Sequence, residues 1–456
     1  MIASLIVLAV ALPASVYFIF SKRLARSKDW AATVTPLASI IGSGFLVCAP
    51  LLADDIGYYA VFGMAALLLL AYAIGSALRF NIRHTEKLLE QPPSSSAPPQ
   101  SIQAQNPPQR SAKESAKKPS EHSLFIGHSW RALLIPHPFS DGLLRKTETL
   151  SHAVLIIAYL ISVTYYLQLL AVFSLRAFTP NPDETLTSII TTVILTSITA
   201  IGFTKGLEML ERIEHYVVGL KLAMITALIA GLLWHNGWLA SIGDWHLPSM
   251  PEGHPPWRTA RFLMGMLIVV QGFETSLFLG SRHSPEQRIR TMRRAQIISA
   301  IIYIAFLASA TVLFDAIGGS SSSEVTAVID MAKIVSPVLP ILLIVMSLSS
   351  QFSAAVADDA GCGGLIETMS RKKIPSRYAY LFIGVLTIAL TWITNVTEII
   401  SLASRAFAVF YALQCLVATI AAYKAPAVTY RKVRIAFYLL LSLICATVAL
   451  LGIPAE

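Results

Sequence analysis

Twelve stretches of this chain are each apolar over about the 20 residues that an α-helix needs to cross a bilayer, and no other feature limits the fold so strongly. They lie near residues 2–20, 31–52, 58–79, 151–176, 185–203, 214–234, 260–281, 293–316, 337–357, 378–394, 399–422 and 433–452. With 55% hydrophobic residues, 13% charged residues and a mean hydropathy of +0.64, the chain exceeds what a soluble domain of 456 residues carries. Lipid offers backbone N–H and C=O groups no partner, so the spans must pair their own backbones. The expected fold is an all-α polytopic membrane protein.

The net charge of +9 reports orientation rather than a polyanionic partner. Of 35 Lys and Arg residues, 29 fall in alternate connections, 4 on the opposite side (Arg176, Arg258, Arg261, Lys333) and 2 within spans (Lys221, Arg405). The positive-inside rule then puts the basic connections in the cytoplasm and both termini outside. The first span lacks a basic leader and is followed by Lys22, Arg23, Arg26 and Lys28, the order of a retained reversed anchor. The expected location is a bacterial inner membrane, with lipid and a small solute as partners and no nucleic acid. The four cysteines form neither a disulfide framework nor a metal cluster, and no cofactor is expected.

One segment breaks the apolar pattern. Residues 81 to about 122 hold three Pro-Pro pairs, a serine run and no aromatic residue, which predicts a disordered cytoplasmic insert within residues 81–148. After it, Leu124 to Leu144 reads as an interfacial helix broken at Pro136. The longest outer connections are residues 235–259 and 317–336.

Two spans carry polar, glycine-broken centres. Ser39 and Gly42-Ser43-Gly44 interrupt the span at 31–52, and Gln271-Gly272-Phe273-Glu274 interrupts the span at 260–281. Glycines beside polar groups at mid-membrane predict helix breaks, whose freed backbone groups must face a cavity or a ligand. A carboxylate buried there costs several kcal/mol unless it is paired or hydrated, so Glu274 reads as functional. Counting the first broken span as one, the second is six. Five plus five spans with an odd number per unit gives halves of opposite orientation whose first members form a central site. The expected division is an extra span at 1–20, repeats at 31–234 and 260–422, and an extra span at 433–452.

At these residues the chain resembles the amino acid-polyamine-organocation superfamily, with a leucine-transporter type of inverted-repeat fold. The resemblance rests on Gly-Ser-Gly in the first core span, Gly272-Phe273-Glu274 in the sixth and the Ser284-Pro285-Glu286-Gln287-Arg288 run beyond it. The added N-terminal span resembles the sodium-solute symporter branch, and the motifs are equally similar to amino acid permeases. The resemblance implies a secondary transporter, not an enzyme. It also implies a sodium site built from backbone oxygens of Ala38 and Ile41 and from Met346, Ser349 and Ser350 on core span eight.

The residues themselves favour sodium as the coupling ion, with a proton as the alternative. The adjacent hydroxyls of Ser349 and Ser350 suit sodium, which takes hard oxygen ligands. Lys221, on core span five, favours a proton, because some proton-coupled members of the resembled superfamily place a lysine where others bind sodium; it is equally placed to snorkel to the interface. Arg405, on core span ten, cannot discharge itself and needs Glu274, Glu398, carbonyls or a substrate anion. Tyr159 and Tyr166, seven residues apart, share a helix face and are candidates to line the site.

The function expected is ion-coupled symport of a small polar solute, an amino acid or related amine. Amides at Gly42 to Gly44 would take a carboxylate and Glu274 would balance an amine. A uniporter or antiporter of the same fold, or a transporter-like sensor, are the alternatives. The topology is directly testable. A cysteine replacing Ser95 should resist a membrane-impermeant thiol reagent in intact cells and react once the membrane is opened; labelling of intact cells would reverse the orientation.

Overall fold

The structure is a computed structural model that describes residues 2–25, 27–90, 142–179, 183–206, 208–248, 255–281, 283–316, 327–425 and 429–453. The predicted insert (91–122) and the predicted interfacial helix up to residue 141 lie outside the described residues. So do residues 249–254 and 317–326 of the long outer connections.

Among the described residues there is no strand. The helices are α1 (Ile2–Phe20), α2 (Lys22–Ala25), α3 (Lys28–Gly44), α4 (Cys48–Ile56), α5 (Ala60–Phe80), α6 (Glu86–Glu90), α7 (Gly142–Arg176) and α8 (Glu184–Lys205). They continue with α9 (Glu208–Ile242), α10 (Pro256–Gly265), α11 (Pro285–Ala310), α12 (Ala327–Val335), α13 (Leu339–Met369), α14 (Ser376–Ile393), α15 (Val396–Lys424) and α16 (Arg431–Leu451). Ten helical stretches are long and apolar enough to cross a membrane. One of the ten joins α4 to α5; α3, and α10 with the 3₁₀ turns Leu267–Val270 and Phe273–Ser281, add the two glycine-interrupted stretches, twelve in all, as the apolar runs predict.

The packing carries the inverted repeat. The first unit is α3–α4, α5, α7, α8 and α9; the second is α10 with its 3₁₀ turns, α11, α13, α14 and α15. Four of the five counterpart pairs pack directly on each other: α3 on the 3₁₀ turns, α5 on α11, α7 on α13 and α8 on α14. Two units of odd helix number have opposite orientation. The fold is therefore a 5+5 inverted repeat of the leucine-transporter type, with α1 laid on α9 and α16 on α15. α1 buries little beyond Val7 and Ala11, so lipid covers most of it.

The two faces of the bundle are braced differently. We call the face bearing the start of α1 and the end of α16 the terminal face, and the other the insert face. At the insert face Asp29, beside the Ser27 cap of α3, accepts from Arg290 at 2.8 Å and from Arg294 at 2.8 Å, while Gln287 donates to it at 3.2 Å. This ties the first core helix to α11. Residues 81–90, expected in the disordered insert, instead continue α5 through a π-helical turn (Asn81–Thr85) into α6. The reason is polar pairing: Arg288 grips Glu86 at 2.6 and 2.8 Å, and Asn81 donates to the carbonyl and side chain of Gln414 at 2.9 and 2.8 Å. Removing one partner of a pair whose guanidinium is buried leaves an uncompensated charge. Glu86→Ala should therefore lower the unfolding temperature in detergent far more than removal of an exposed acid such as Glu286, and equal shifts would dismiss the brace.

Candidate functional site

The second broken helix opens fully. α10 ends at Gly265, one 3₁₀ turn follows, and Gln271 turns extended before Gly272 enters the left-handed region at φ 115°. Glycine is needed there twice over. A β-carbon on Gly272 would stand 2.6 Å from the backbone of Ser39 and Ile40 as well as adopting a strained φ. The first broken helix opens less and later than the sequence predicts. Gly42, Ser43 and Gly44 remain inside α3, and the irregular turn is Phe45–Val47. The amides of 42–44 therefore point to carbonyls four residues back, so they are not the freed donors expected for a substrate carboxylate. The glycines serve close packing instead: a β-carbon on Gly42 would come within 2.9 Å of Ala354 Cβ, and one on Gly44 within 2.8 Å of Val269. The side chain of Ser43 lies outside the described residues.

Backbone groups at the crossing find side-chain partners. The hydroxyl of Tyr303 on α11 lies between two carbonyls, 3.1 Å from Ile40 O and 2.7 Å from Val269 O. Ser404 on α15 accepts from the amide of Ile268 at 2.9 Å. The amide of Gly272 donates to Glu274 Oε2 at 2.9 Å, and Tyr411 donates to the same oxygen at 2.7 Å. Glu274 is completely buried, and its other oxygen, Oε1, has no hydrogen-bond partner among the described residues.

Around this carboxylate the structure assembles most of the expected set. Gln271 donates to the Tyr166 hydroxyl at 2.5 Å. Phe273 stacks on Tyr411 with ring centroids 5.2 Å apart, and Tyr159 packs edge-on against Phe407 at 6.1 Å. Tyr159, Tyr166 and Tyr411 all lie within electrostatic reach of Glu274. Ser39 is buried, and its hydroxyl lacks a partner among the described residues.

The ion candidates sort themselves differently. Lys221 does not snorkel: it is 1% exposed, and its ammonium donates to Ala38 O at 3.0 Å and Ser350 Oγ at 3.1 Å. Those are two of the oxygens assigned to sodium by resemblance. Ser349 turns away, donating to Val345 O at 2.7 Å in the ordinary back-bonded manner of a helical serine. Ile41 and Met346 are buried within unbroken helix, where their carbonyls serve the helix ladder.

Arg405 does not join the site. Neither Glu274 nor Glu398 pairs with it; its guanidinium donates to the carbonyl of Gly452 beyond the end of α16, at 3.0 and 2.5 Å. Glu398 instead completes a capping box with Asn395 at the start of α15.

Two buried acids were missed. Asp358 accepts from Ser162 Oγ at 2.5 Å, and Asp359 is buried beside it. The hydropathy reading ends the eighth core span at Ala357, whereas α13 runs to Met369, so both acids belong to the helix interior. A second buried polar group, Glu148, His152, Ser151 and Gln414, joins the insert-side ends of α7 and α15. An acid and a histidine one helical turn apart were the available signal. Among the described residues no cluster of His, Cys, Asp or Glu could hold a metal ion.

A family model described as an APC superfamily transporter matches residues 22–105 and 134–452. The chain belongs to that superfamily. This transporter is also similar to an uncharacterized protein of Aquifex aeolicus (strain VF5), 37% identical over 411 residues that cover 89% of this chain and 88% of the relative. Among solved structures it is similar to Mhp1, a nucleobase-cation-symport-1 family transporter, in a closed conformation with bromovinylhydantoin bound. That likeness has a TM-score of 0.48 at 12% identity and covers 92% of this chain and 91% of the other.

The close crossing makes a sharp test. Gly272→Ala combines a left-handed backbone with a clash into α3, so a loss of about 1–3 kcal/mol or more is expected. It should appear as a lowered unfolding temperature in detergent, whereas Gly364→Ala, with open space around it, should leave that temperature unchanged.

Proposed function

We propose that this transporter is a secondary carrier that moves a small amine-bearing solute by alternating access, coupled to a proton. The observation that carries the reading is Glu274, a buried carboxylate at the helix crossing with one oxygen held by Gly272 and Tyr411 and the other without a partner among the described residues. A carboxylate in that setting is costly unless a cationic or hydrogen-bond-donating group completes it. An ammonium or amine does so. The aromatic rings of Phe273, Tyr159 and Tyr166 supply apolar and hydroxyl-bearing walls around the same point, and a cation beside such rings gains from their faces.

Coupling to a proton is supported by Lys221. Its ammonium lies between Ala38 O and Ser350 Oγ, joining α9 to α3 and α13. Losing its proton would remove a donor and a charge from that contact and loosen the first core helix from the other two. Proton binding and release would in this way favour different arrangements of the broken helices. The sodium expectation has less behind it, because two of its oxygens are engaged by the ammonium and Ser349 faces elsewhere. The orientation proposed is that of the charge pattern, with the insert face in the cytoplasm and both ends of the chain outside.

Reconstituted protein tests both parts. With an accepted amine as substrate, an inward proton gradient should drive accumulation in vesicles without sodium. Lys221→Gln should abolish that accumulation, while Ser349→Ala should leave it close to the parent rate. Strict dependence on sodium in the parent, with uptake retained in Lys221→Gln, would return the coupling ion to sodium. Glu274→Gln removes a charge-assisted contact worth about 1.5–3 kcal/mol, so substrate binding should weaken by roughly ten- to a hundredfold; unchanged affinity would remove Glu274 from the site.

A further inference from the structure

The end of the extra C-terminal helix makes polar contacts with α15 and with α10, the half-helix that leads into the site. α16 ends at Leu451, and the last carbonyls of any helix lack intrahelical partners. Here arginines from two other helices supply them. Arg261 of α10 donates through Nε to Leu451 O at 2.9 Å, and Arg405 of α15 donates to Gly452 O through Nε at 3.0 Å and Nη2 at 2.5 Å. The amide of Ile453 returns a bond to the carbonyl of Arg261 at 3.1 Å. The backbones also touch: a β-carbon on Gly265, the last residue of α10, would fall 1.9 Å from Ile453 O, and one on Gly452 would stand 3.2 Å from Gly265 N.

Arginine cannot shed its charge, and the negative end of a helix dipole is a favourable place for it. A guanidinium held there is a fixed strut between helices. The strut acts close to the site, because Ser404, the neighbour of Arg405, caps the Ile268 amide in the turn that follows α10. α10 and its turn are thus held at two points, Arg261 near the middle of α10 and Ile268 shortly before Gln271 and Gly272.

We propose that the last turn of α16 is part of the scaffold of the substrate site, with Arg261 and Arg405 as positioning residues that fix α10 against α15. This gives the extra C-terminal helix a role beyond membrane anchoring, and it accounts for an intramembrane arginine that pairs with no carboxylate among the described residues. The inference rests on the transport reading for its meaning, but the test needs no substrate and stands if that reading fails.

The measurement is the rate at which a maleimide probe labels a cysteine placed at the buried Val270, in detergent-solubilised full-length protein whose Cys48, Cys362, Cys415 and Cys445 have been replaced by alanine. Arg405→Met removes both donors while keeping the apolar stem, and it should raise the labelling rate roughly tenfold, because a buried thiol is labelled through locally opened molecules and loosening α10 makes these more frequent. Arg261→Met should act in the same direction. Arg405→Lys keeps the charge and a single donor, so its rate should fall between parent and Arg405→Met, and it serves if the methionine variant does not reach the membrane. A rate equal to the parent in Arg405→Lys and in whichever methionine variant folds, even with a lowered unfolding temperature, would make the contact structural only and overturn the proposal. The same increase produced by a distant destabilising change such as Glu86→Ala would overturn it as well.

Discussion

Opening two helices inside a bilayer frees backbone groups that lipid cannot satisfy, and the way this protein satisfies them organises everything around the site. Tyr303 reaches the carbonyl of Val269 in the opened segment and, across the crossing, that of Ile40 in α3, while Ser404 caps the amide of Ile268. Glu274 takes the amide of Gly272. Each of these partners comes from a different part of the second repeat, so the crossing holds only when α11, α15 and the 3₁₀ turns are all in place. The broken helices and the bundle that encloses them are therefore specified together.

Close backbone approach is the second condition. Gly42, Gly44 and Gly272 are packing residues, each facing a neighbour that a β-carbon would strike. Small residues at helix interfaces let backbones meet without a hydrophobic drive from water. In this chain the same economy reaches the C-terminal helix, where Gly265 and Gly452 bring α10 and α16 into contact.

Charge placement separates the parts of the molecule that must stay fixed from those that change partners. Arg288 with Glu86 and the two arginines on Asp29 brace the insert face with fully charged pairs. At the centre, by contrast, Lys221 donates to the neutral oxygens of Ala38 and Ser350, and Glu274 has one oxygen without a hydrogen-bond partner among the described residues.

The sequence alone determined the membrane class, the twelve crossings, the two helices that would break and the glutamate between them. Those properties depend on local hydropathy and on single residues, and lipid enforces them without reference to the rest of the chain. What it could not determine was where a side chain ends. Lys221 is placed equally well by sequence to snorkel or to turn inward, and only the packing of α9 against α3 and α13 decides for Ala38 and Ser350. Arg405 reads as a partner for a carboxylate until α16 folds back and offers its C-terminal carbonyls. Asp358 lay past the apparent end of a span because hydropathy cannot see that α7 supplies Ser162. Hydropathy is a sum over neighbours in sequence, whereas a buried charge is settled by neighbours in space, and for those three residues the tertiary structure alone decided.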